Sequence, residues 1–241
     1  MNSDITSLTK TVQYGDVDFT GCYKISSLFQ SLADLATQDA IKLGLWSVDL
    51  MEHYGWVVAK QSLYLDEPIM LNDVIEISTY ADKGTFVTFP RYYLIKKNDK
   101  VIGRISSIWT LLDLKKRSIV APKRIGLKGP VAKNEVQLEL PKNIHEEEAM
   151  TFMIQRKVLY SDIDTNRHMN NTKYLEWAFD LLDLDIFEKQ YIKELSINYK
   201  KEIKPHSLVD LYLSQKDNQY VMKGQVNNED AFIIEFYCDN R

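Results

Sequence analysis

The feature that most constrains the fold of this chain is an internal repeat. The segment that begins at Tyr14 recurs at Tyr160, an offset of 146 residues. The same offset aligns Asp16 with Asp162, Asp18 with Asp164, Leu28 with Tyr174, and Asp34 with Asp180. Solenoid repeats are roughly 20–50 residues long, so a repeat of this length indicates a duplicated domain.

We therefore expect two domains of similar fold within the 241 residues, a length that lets each bury its own core. The first domain is predicted to span residues 1–134 and the second residues 151–241. Residues 135–150 are predicted to be a linker, since they carry Pro141 and three successive glutamates at residues 146–148.

Each unit has one long helical pattern followed by strand-like runs. The first helix is predicted to follow an N-cap at Ser26 or Ser27 and to end at Gly44. The second is predicted near residues 171–185. The strands are predicted near residues 6–14, 56–65, 74–80, 85–96 and 101–112, and near 151–159, 191–201, 207–215, 219–226 and 231–238. This layout predicts an α+β fold, with an antiparallel sheet wrapped around a long central helix in each domain.

The second copy carries a cluster of polar residues at two-residue spacing, namely Asp162, Asp164, Asn166 and His168. In extended backbone this spacing would point all four side chains the same way. Asn170 and Asn171, both good N-cap residues, follow directly. Because backbone N–H groups and the helix dipole favour negative charge at a helix start, the cluster is a candidate active site.

The first copy lacks the chemistry of the second. Thr20 aligns with Asn166, and Cys22 aligns with His168. Only the second copy therefore keeps an amide and an imidazole, which predicts a catalytic second domain and a degenerate first one.

The pattern Asp-x-Asn-x-His-x-Asn-Asn, followed by Tyr174 and Trp177, resembles the signature of the acyl-acyl carrier protein thioesterases. These include the plant plastid FatA/FatB type and its bacterial relatives. Residues 55–58 (Gly-Trp-Val-Val), 106–109 (Ser-Ser-Ile-Trp) and 199–202 (Tyr-Lys-Lys-Glu) are also similar to family segments. The resemblance covers nearly the whole chain. It implies two tandem hotdog domains and hydrolysis of fatty acyl-acyl carrier protein to free fatty acid.

The resemblance also implies a set of catalytic residues, Asp164, Asn166, His168 and Glu202. Asn166 would position the water or thioester, and His168 would relay a proton near neutral pH. Glu202 would be the general base, made more basic by burial beside an apolar acyl channel. The backbone N–H groups of residues 170–173, including those of Asn170 and Asn171, would form the substrate-binding site for the carbonyl.

Some roles stay open between two interpretations. Asp162 is expected to be architectural, because Asp16 persists in the copy that lost the other groups. By the same argument Asp164 is either catalytic or a loop-holding residue. Where plant enzymes commonly have a cysteine after the glutamate, this chain has Ile203, which favours attack by water over attack by a thiol. A thioester permits this, since its leaving thiol has a pKa of about 8.5.

Cofactors and metals are not expected. His168 and Asp164 offer two possible metal ligands, but the other histidines, His53, His145 and His206, have no ligand spacing. The net charge of −4 argues against general nucleic-acid binding. No apolar run approaches the ~20 residues of a membrane span. Two distant cysteines and a start without a secretion signal favour a cytoplasmic protein.

The expected partner is acyl carrier protein, with the chain itself a monomer or homodimer. Carrier proteins are acidic, so a docking surface should be basic. Candidate docking residues are Lys115, Lys116, Arg117, Lys123 and Arg124, and separately Lys200, Lys201 and Lys204. Two alternative functions are an acyl-CoA thioesterase and a non-catalytic acyl-thioester sensor. The sensor would not need His168 or Glu202, so their joint presence favours an enzyme.

Overall fold

A computed structural model describes residues 5–128, 138–145 and 149–241. These residues form one antiparallel sheet that curves around two helices, one from each half of the chain. None of the helices in this part of the chain is long and apolar enough to cross a membrane.

In the described residues, the first half contains six strands and two α-helices. They are β1 (Thr6–Thr11), α1 (Ile25–Lys42), α2 (Val48–Met51), β2 (Tyr54–Leu65), β3 (Val74–Ala81), β4 (Phe89–Lys97), β5 (Lys100–Asp113) and β6 (Ser118–Ile119). The second half repeats the order with β7 (Thr151–Lys157), α3 (Asn171–Phe179), α4 (Leu184–Lys189), β8 (Gln190–Tyr199), β9 (Leu208–Lys216), β10 (Gln219–Val226) and β11 (Glu229–Asn240).

The strand order joins the halves edge to edge. It runs β1-β3-β4-β5-β2-β8-β11-β10-β9-β7, with β6 paired to β5. At the junction β2 pairs with β8, Lys60 opposite Asn198. The hydroxyls of Ser62 and Ser196 lie 2.8 Å apart across this seam. The pairing fixes the register of one half against the other.

The core lies between the concave face of the sheet and the helices. On α1 the apolar stripe of Leu28, Leu32 and Leu35 is at most 1% exposed, as its helical spacing predicts. Trp177 of α3 is 2% exposed. Burial of each such side chain stabilises the fold by about 1.5–3 kcal/mol.

The first helix starts slightly earlier than predicted. Lys24 is the N-cap of α1 and makes no side-chain capping bond, so neither Ser26 nor Ser27 serves as the cap. Gly44, just past the end of the helix, has a φ of +66°. A glycine adopts this left-handed conformation without steric cost, which ends the helix as predicted.

The second helix is shorter than predicted. It ends at Phe179, and a separate short helix starts after Asp183. Asp180, at the C-cap, is held by Arg156 of β7 at 2.7 Å. The chain turns here because it must reach β8, which starts at Gln190.

The predicted linker, residues 135–150, lies partly outside the described residues, including the glutamate run at 146–148. Its described part crosses the outer face of the sheet. The side chain of Asn198 accepts from the backbone N–H of Ile144 at 3.0 Å and donates to Lys142 O at 3.1 Å. Ile144 packs against Val221 and Ile233.

Candidate active site

The motif loop between β7 and α3 is a compact turn. Tyr160–Asp162 form a 3-10 helix, Ile163 forms an isolated antiparallel bridge with Met169, and Asn170 caps α3. The expectation that four polar side chains point the same way is therefore wrong, because two-residue spacing aligns side chains only in extended backbone.

Asp162 points into the core. Its Oδ1 accepts from Trp177 Nε1 at 3.2 Å, and its Oδ2 accepts from the backbone N–H of Leu159 at 2.8 Å. The residue is 7% exposed. In the first copy Asp16 accepts from the backbone N–H of Gln13 at 2.9 Å. The shared contact makes this aspartate a structural residue of the loop.

Asp164 organises the rest of the loop from within. One carboxylate oxygen accepts from the backbone N–H groups of Asn166, at 2.9 Å, and His168, at 3.2 Å. The backbone N–H of Asp164 donates to His168 O at 2.9 Å. These bonds show that Asp164 holds the loop together, whereas a catalytic role for this residue stays a prediction.

The first copy builds the same loop. Asp18 accepts from the backbone N–H groups of Thr20, at 2.8 Å, and Cys22, at 3.1 Å. Gly21 and Arg167, at matching positions, have φ angles of +80° and +61°. The framework is thus duplicated bond by bond, and the two copies differ in the side chains it displays.

Glu202 lies just after β8, and a backbone hydrogen bond of the next residue joins this segment to the motif loop. The N–H of Met169 donates to Ile203 O at 2.8 Å. This tie places Glu202 Oε2 3.4 Å from His168 Nε2. The two side chains predicted to move protons therefore lie next to each other. Glu202 is not deeply buried, however, since its side chain is 30% exposed.

The corresponding tie in the first copy identifies the residue that replaces Glu202. There the N–H of Tyr23 donates to Ile69 O, also at 2.8 Å. The residue before Ile69 is Pro68. The first copy therefore lacks a carboxylate as well as the amide and the imidazole.

Arg117, which the sequence predicts to be a docking residue, lies at the candidate active site. It lies in the turn between β5 and β6, with a φ of +53°, and its guanidinium forms an ion pair with Glu202 Oε2. Asp113 fixes this turn by accepting from the backbone N–H groups of Lys115, at 3.1 Å, and Lys116, at 2.8 Å. No local sequence signal distinguishes Arg117 from its basic neighbours.

A cavity of about 620 Å³ runs along these groups. Asp164, Asn166, His168 and Glu202 line it, so the four predicted catalytic residues come together at one cavity. Its opposite wall is residues 55–59 of β2, from the first half. The site is therefore built across the two halves.

The two predicted substrate-binding asparagines have different places. Asn170 is the N-cap of α3, and its Oδ1 accepts from the backbone N–H and the hydroxyl of Thr172, both at 2.9 Å. Its side chain thus serves the helix. Asn171 lines the cavity, and its carbonyl accepts from the Tyr199 hydroxyl at 3.4 Å. The backbone N–H groups of Asn170 and Lys173 donate to Asp162 O and Asn170 O, and that of Thr172 donates to Asn170 Oδ1, so these three do not form the predicted carbonyl site. Substrate binding by either asparagine side chain stays a prediction.

A second cavity of about 540 Å³ meets the first at Asn166, Met51 and Trp56, which line both. It lies in the first half, and most of its wall is apolar or aromatic. Wall residues include Ala36, Ala40, Trp46, Phe89 and Trp109. The indole N–H of Trp56 donates to Leu45 O at 2.8 Å, so that side chain buries no unpaired donor. We call this cavity the apolar pocket.

The apolar pocket has one charged residue in its wall, Arg91. Its Nη1 lies 2.7 Å from Asp39 Oδ2, and the two side chains are 7% and 2% exposed. Asp39 also accepts from the Thr6 hydroxyl at 2.8 Å, and Arg91 donates to the Thr79 hydroxyl at 3.1 Å. The pair is compensated, as buried charges must be.

Aromatic rings pack between helix and sheet in the second half. Phe236 stacks on Tyr220 at 4.9 Å and meets Phe179 edge-on at 5.5 Å. Phe179 in turn meets Phe187 at 6.0 Å. These rings occupy interior space, whereas the first half keeps its apolar pocket open beside α1.

Comparison with known protein families identifies both halves. Residues 6–123 match the acyl-ACP thioesterase N-terminal domain, and residues 145–235 match the acyl-ACP thioesterase C-terminal domain. Together the matches cover most of the chain.

The chain belongs to the acyl-ACP thioesterase family.

Similar curated proteins are plant thioesterases of this family. Oleoyl-acyl carrier protein thioesterase 2, chloroplastic, of Arabidopsis thaliana is 25% identical over 187 residues, which are 71% of this chain and 50% of that protein. Palmitoyl-acyl carrier protein thioesterase, chloroplastic, of the same plant is 26% identical over 156 residues, 61% of this chain and 38% of that protein. The chain thus spans half or less of these relatives' length.

Solved structures of acyl-ACP thioesterases have the same fold. The enzyme from Bacteroides thetaiotaomicron VPI-5482 superposes with a TM-score of 0.88, at 20% identity over 98% of each chain. The 12:0-ACP thioesterase from Umbellularia californica has a TM-score of 0.82, at 14% identity over 100% of this chain and 99% of that one. The prediction of a tandem hotdog α+β fold is confirmed.

The cysteines of this thioesterase family member are poor nucleophiles. Burial raises the pKa of the Cys22 thiol to about 11 and that of Cys238 to about 12. Ile203, where plant relatives commonly have a cysteine, is fully buried. Within the described ranges no three or more His, Cys, Asp or Glu side chains group as metal ligands.

Proposed function

We propose that this chain hydrolyses the thioester of fatty acyl-acyl carrier protein, which releases free fatty acid and the carrier thiol. One observation carries the proposal. The cavity that holds Asn166, His168 and Glu202 joins an apolar pocket at Asn166. A thioester at this junction would have its acyl chain in apolar surroundings and its carbonyl carbon beside the polar groups.

The substrate would thread through both cavities. The acyl chain fits the apolar pocket, whose burial of methylene groups contributes about 0.8 kcal/mol each. The pantetheine arm would lie in the larger cavity, whose wall includes Lys200 and Lys201. These cations suit the phosphate at the end of the arm.

Hydrolysis needs an activated water and no covalent enzyme intermediate. Glu202, with His168 beside it, takes a proton from water as the oxygen adds to the thioester carbonyl carbon. The Asn166 carboxamide holds the water or the carbonyl by hydrogen bonding. As the tetrahedral intermediate collapses, the carbon–sulfur bond breaks and the proton passes to the departing thiolate. Fatty acid and thiol leave, and the site is restored.

After the duplication the two domains have different roles in the proposed reaction. The second domain, residues 151–241, supplies the polar groups, and the first, residues 1–134, supplies the acyl pocket. Residues 135–150 connect them. Asp164 then acts chiefly through the loop that presents Asn166 and His168.

The test is release of free thiol from acyl carrier protein thioesters and CoA thioesters of several chain lengths. We expect His168→Ala and Glu202→Gln each to lose about 10²–10⁴-fold in rate, as general acid–base groups do. His145→Ala and Glu139→Gln, at exposed positions outside the site, are matched controls that keep wild-type rates.

The outcomes separate the candidate functions. Faster turnover of CoA thioesters than of carrier thioesters would keep the proposed reaction and identify acyl-CoA as the substrate. Thioester binding without turnover would overturn the enzyme and leave an acyl-thioester sensor.

Carrier docking has its own test. Because Arg117 is engaged with Glu202, the docking candidates on that turn reduce to Lys115 and Lys116. Charge reversal of these two lysines should slow hydrolysis of carrier-bound substrate and spare a small thioester. Equal effects on both substrates would exclude docking at this turn.

A further inference from the structure

The chain has another cleft, of about 810 Å³, beside the motif loop of the first copy. We call it the second cleft. Asp18, Cys22 and Pro68 of the first half form one wall, and Gln190 and Ile192 of β8 form part of the other. It is larger than the cavity at the candidate active site, which measures about 620 Å³.

The second cleft is the internal repeat of the active-site cavity. Two equivalent backbone hydrogen bonds, from Tyr23 N–H to Ile69 O and from Met169 N–H to Ile203 O, align Ile69 with Ile203. This alignment determines which residues after the helices correspond in the two copies. Wall residues of the second cleft then pair with wall residues of the active-site cavity. The pairs are Asp18 with Asp164, Cys22 with His168, Leu28 with Tyr174, Pro68 with Glu202, Gln190 with Trp56, and Ile192 with Val58.

This correspondence means that the duplication produced two equivalent clefts, one beside each copy of the motif loop. The second cleft has lost the catalytic chemistry, because Thr20, Cys22 and Pro68 stand where the active-site cavity has Asn166, His168 and Glu202. With no counterpart of His168 or Glu202 to activate water, a ligand can bind there without being hydrolysed.

A positive charge, that of Arg241, lies in the second cleft beside the motif loop of the first copy. Arg241 Nη2 donates to the Thr20 hydroxyl at 2.5 Å, and Arg241 Nε donates to Gln190 O at 3.2 Å. A guanidinium therefore lies at the position that corresponds to Asn166. Its fork of donors matches a carboxylate.

The acidic side chains of the second cleft are already satisfied. Glu176 pairs with Lys173 at 2.6 Å, and Asp180 pairs with Arg156 at 2.7 Å. Asp18 and Asp162 accept from backbone N–H groups of their own loops. Arg241 thus remains able to attract an anionic head group.

The far wall of the second cleft is apolar and includes exposed surface. It comprises Phe179, Leu182, Leu184 and Phe187. Leu184 is 63% exposed, although exposing such a side chain to water is unfavourable. An apolar chain lying on this wall would cover it.

We propose that the second cleft is a binding site for a free fatty acid, with the carboxylate on Arg241 and the chain against Leu184 and Phe187. The ligand has the chemistry of the proposed reaction product, but the site depends only on the cleft. Binding there is measured without turnover, so its failure and the failure of the proposed hydrolysis are distinguishable.

Equilibrium dialysis of the full chain with radiolabelled dodecanoate tests the site. We expect two molecules bound per chain in the wild type, one in the apolar pocket and one in the second cleft. Arg241→Glu should weaken one of the two sites by about 10–100-fold, the range for loss of a charge-assisted hydrogen bond. Leu184→Glu should weaken the same site. Both positions are exposed, so folding should be preserved.

Lys216→Glu is the matched control, because it makes the same charge change at the exposed end of β9, outside the cleft. It should keep both sites, and Arg241→Lys should keep most of the affinity. Dodecanoate binding that is unchanged in both Arg241→Glu and Leu184→Glu, whether one or two molecules bind, would overturn the proposal.

Discussion

The guanidinium of Arg117 forms an ion pair with the carboxylate of Glu202, across the boundary between the two halves. The same carboxylate oxygen lies 3.4 Å from His168 Nε2. A residue of the first half thus sits against the group that would act as base in the second. Because the ion pair and the His168 contact share one carboxylate oxygen, Arg117 holds Glu202 in place beside His168.

We therefore predict that Arg117→Ala lowers kcat/KM for a small thioester, because the Glu202 carboxylate loses the ion pair that holds it beside His168. We expect a loss of up to about fivefold, since an ion pair between partly exposed side chains contributes up to about 1 kcal/mol. The measurement is kcat/KM at one fixed pH.

Arg117→Lys should retain most of the wild-type kcat/KM because it keeps the charge. Lys116→Ala, one residue away on the same turn, is the control for general loss of positive charge. Equal values of kcat/KM for Arg117→Ala and Lys116→Ala would show that the ion pair has no part in the reaction.

The duplicated loop allows the role of Asp164 to be separated from its contribution to stability. Asp164 and Asp18 make the same two carboxylate bonds to backbone N–H groups. We predict that Asp164→Ala and Asp18→Ala each destabilise the protein by about 1–3 kcal/mol, because buried or half-buried N–H groups lose their acceptor. Thermal or urea unfolding measures this.

Only Asp164→Ala should also lose activity, since its loop presents Asn166 and His168. Hydrolysis by Asp18→Ala, measured well below its unfolding temperature, should stay within a few-fold of wild type. If both variants lose activity equally, the loss comes from global destabilisation and not from the active-site loop.

Much of the fold follows from local pattern. The repeat from Tyr14 to Tyr160 predicts two copies of one domain, and alternation predicts most strands to within a few residues. The break after Phe179 was not predicted, because the apolar pattern continues through Leu181 and Leu182 while the tertiary fold requires a turn towards β8.

The candidate site was predictable only in part. The family resemblance names His168, Asn166 and Glu202 as site residues, and these side chains line one cavity. Arg117 was not predicted to lie there, because its position depends on pairing of β2 with β8, which brings the β5–β6 turn over Glu202. Such long-range register leaves no mark in a short stretch of sequence. Two-residue spacing also misled for Asp162, since a 3-10 turn rotates it into the core.

Neither cysteine should be needed for hydrolysis. With a pKa of about 11, Cys22 is thiolate in roughly one molecule in 10⁴ at pH 7. We predict that Cys22→Ser retains activity within a few-fold, and that alkylation of the native protein by iodoacetamide is slow at neutral pH and accelerates as pH rises towards 11. A loss of 100-fold or more in Cys22→Ser would instead point to covalent catalysis.

The buried pair of Arg91 and Asp39 should govern both stability and acyl-chain preference. Removing one partner leaves an uncompensated buried charge, so Arg91→Ala should destabilise the protein by about 3–5 kcal/mol. The double variant Asp39→Leu/Arg91→Met replaces the pair by apolar side chains of similar size and should recover most of that loss. Unfolding measurements on both variants test this.

The double variant should also process longer acyl chains relatively faster. In the wild type Arg91 is the charged residue in the wall of an otherwise largely apolar pocket, and a long chain would have to lie against its guanidinium. With methionine there, each added methylene gains about 0.8 kcal/mol of transfer free energy when it is buried. The ratio of kcat/KM between a long and a short acyl thioester is the measurement. An unchanged ratio in a stably folded double variant would mean that acyl chains end before they reach Arg91.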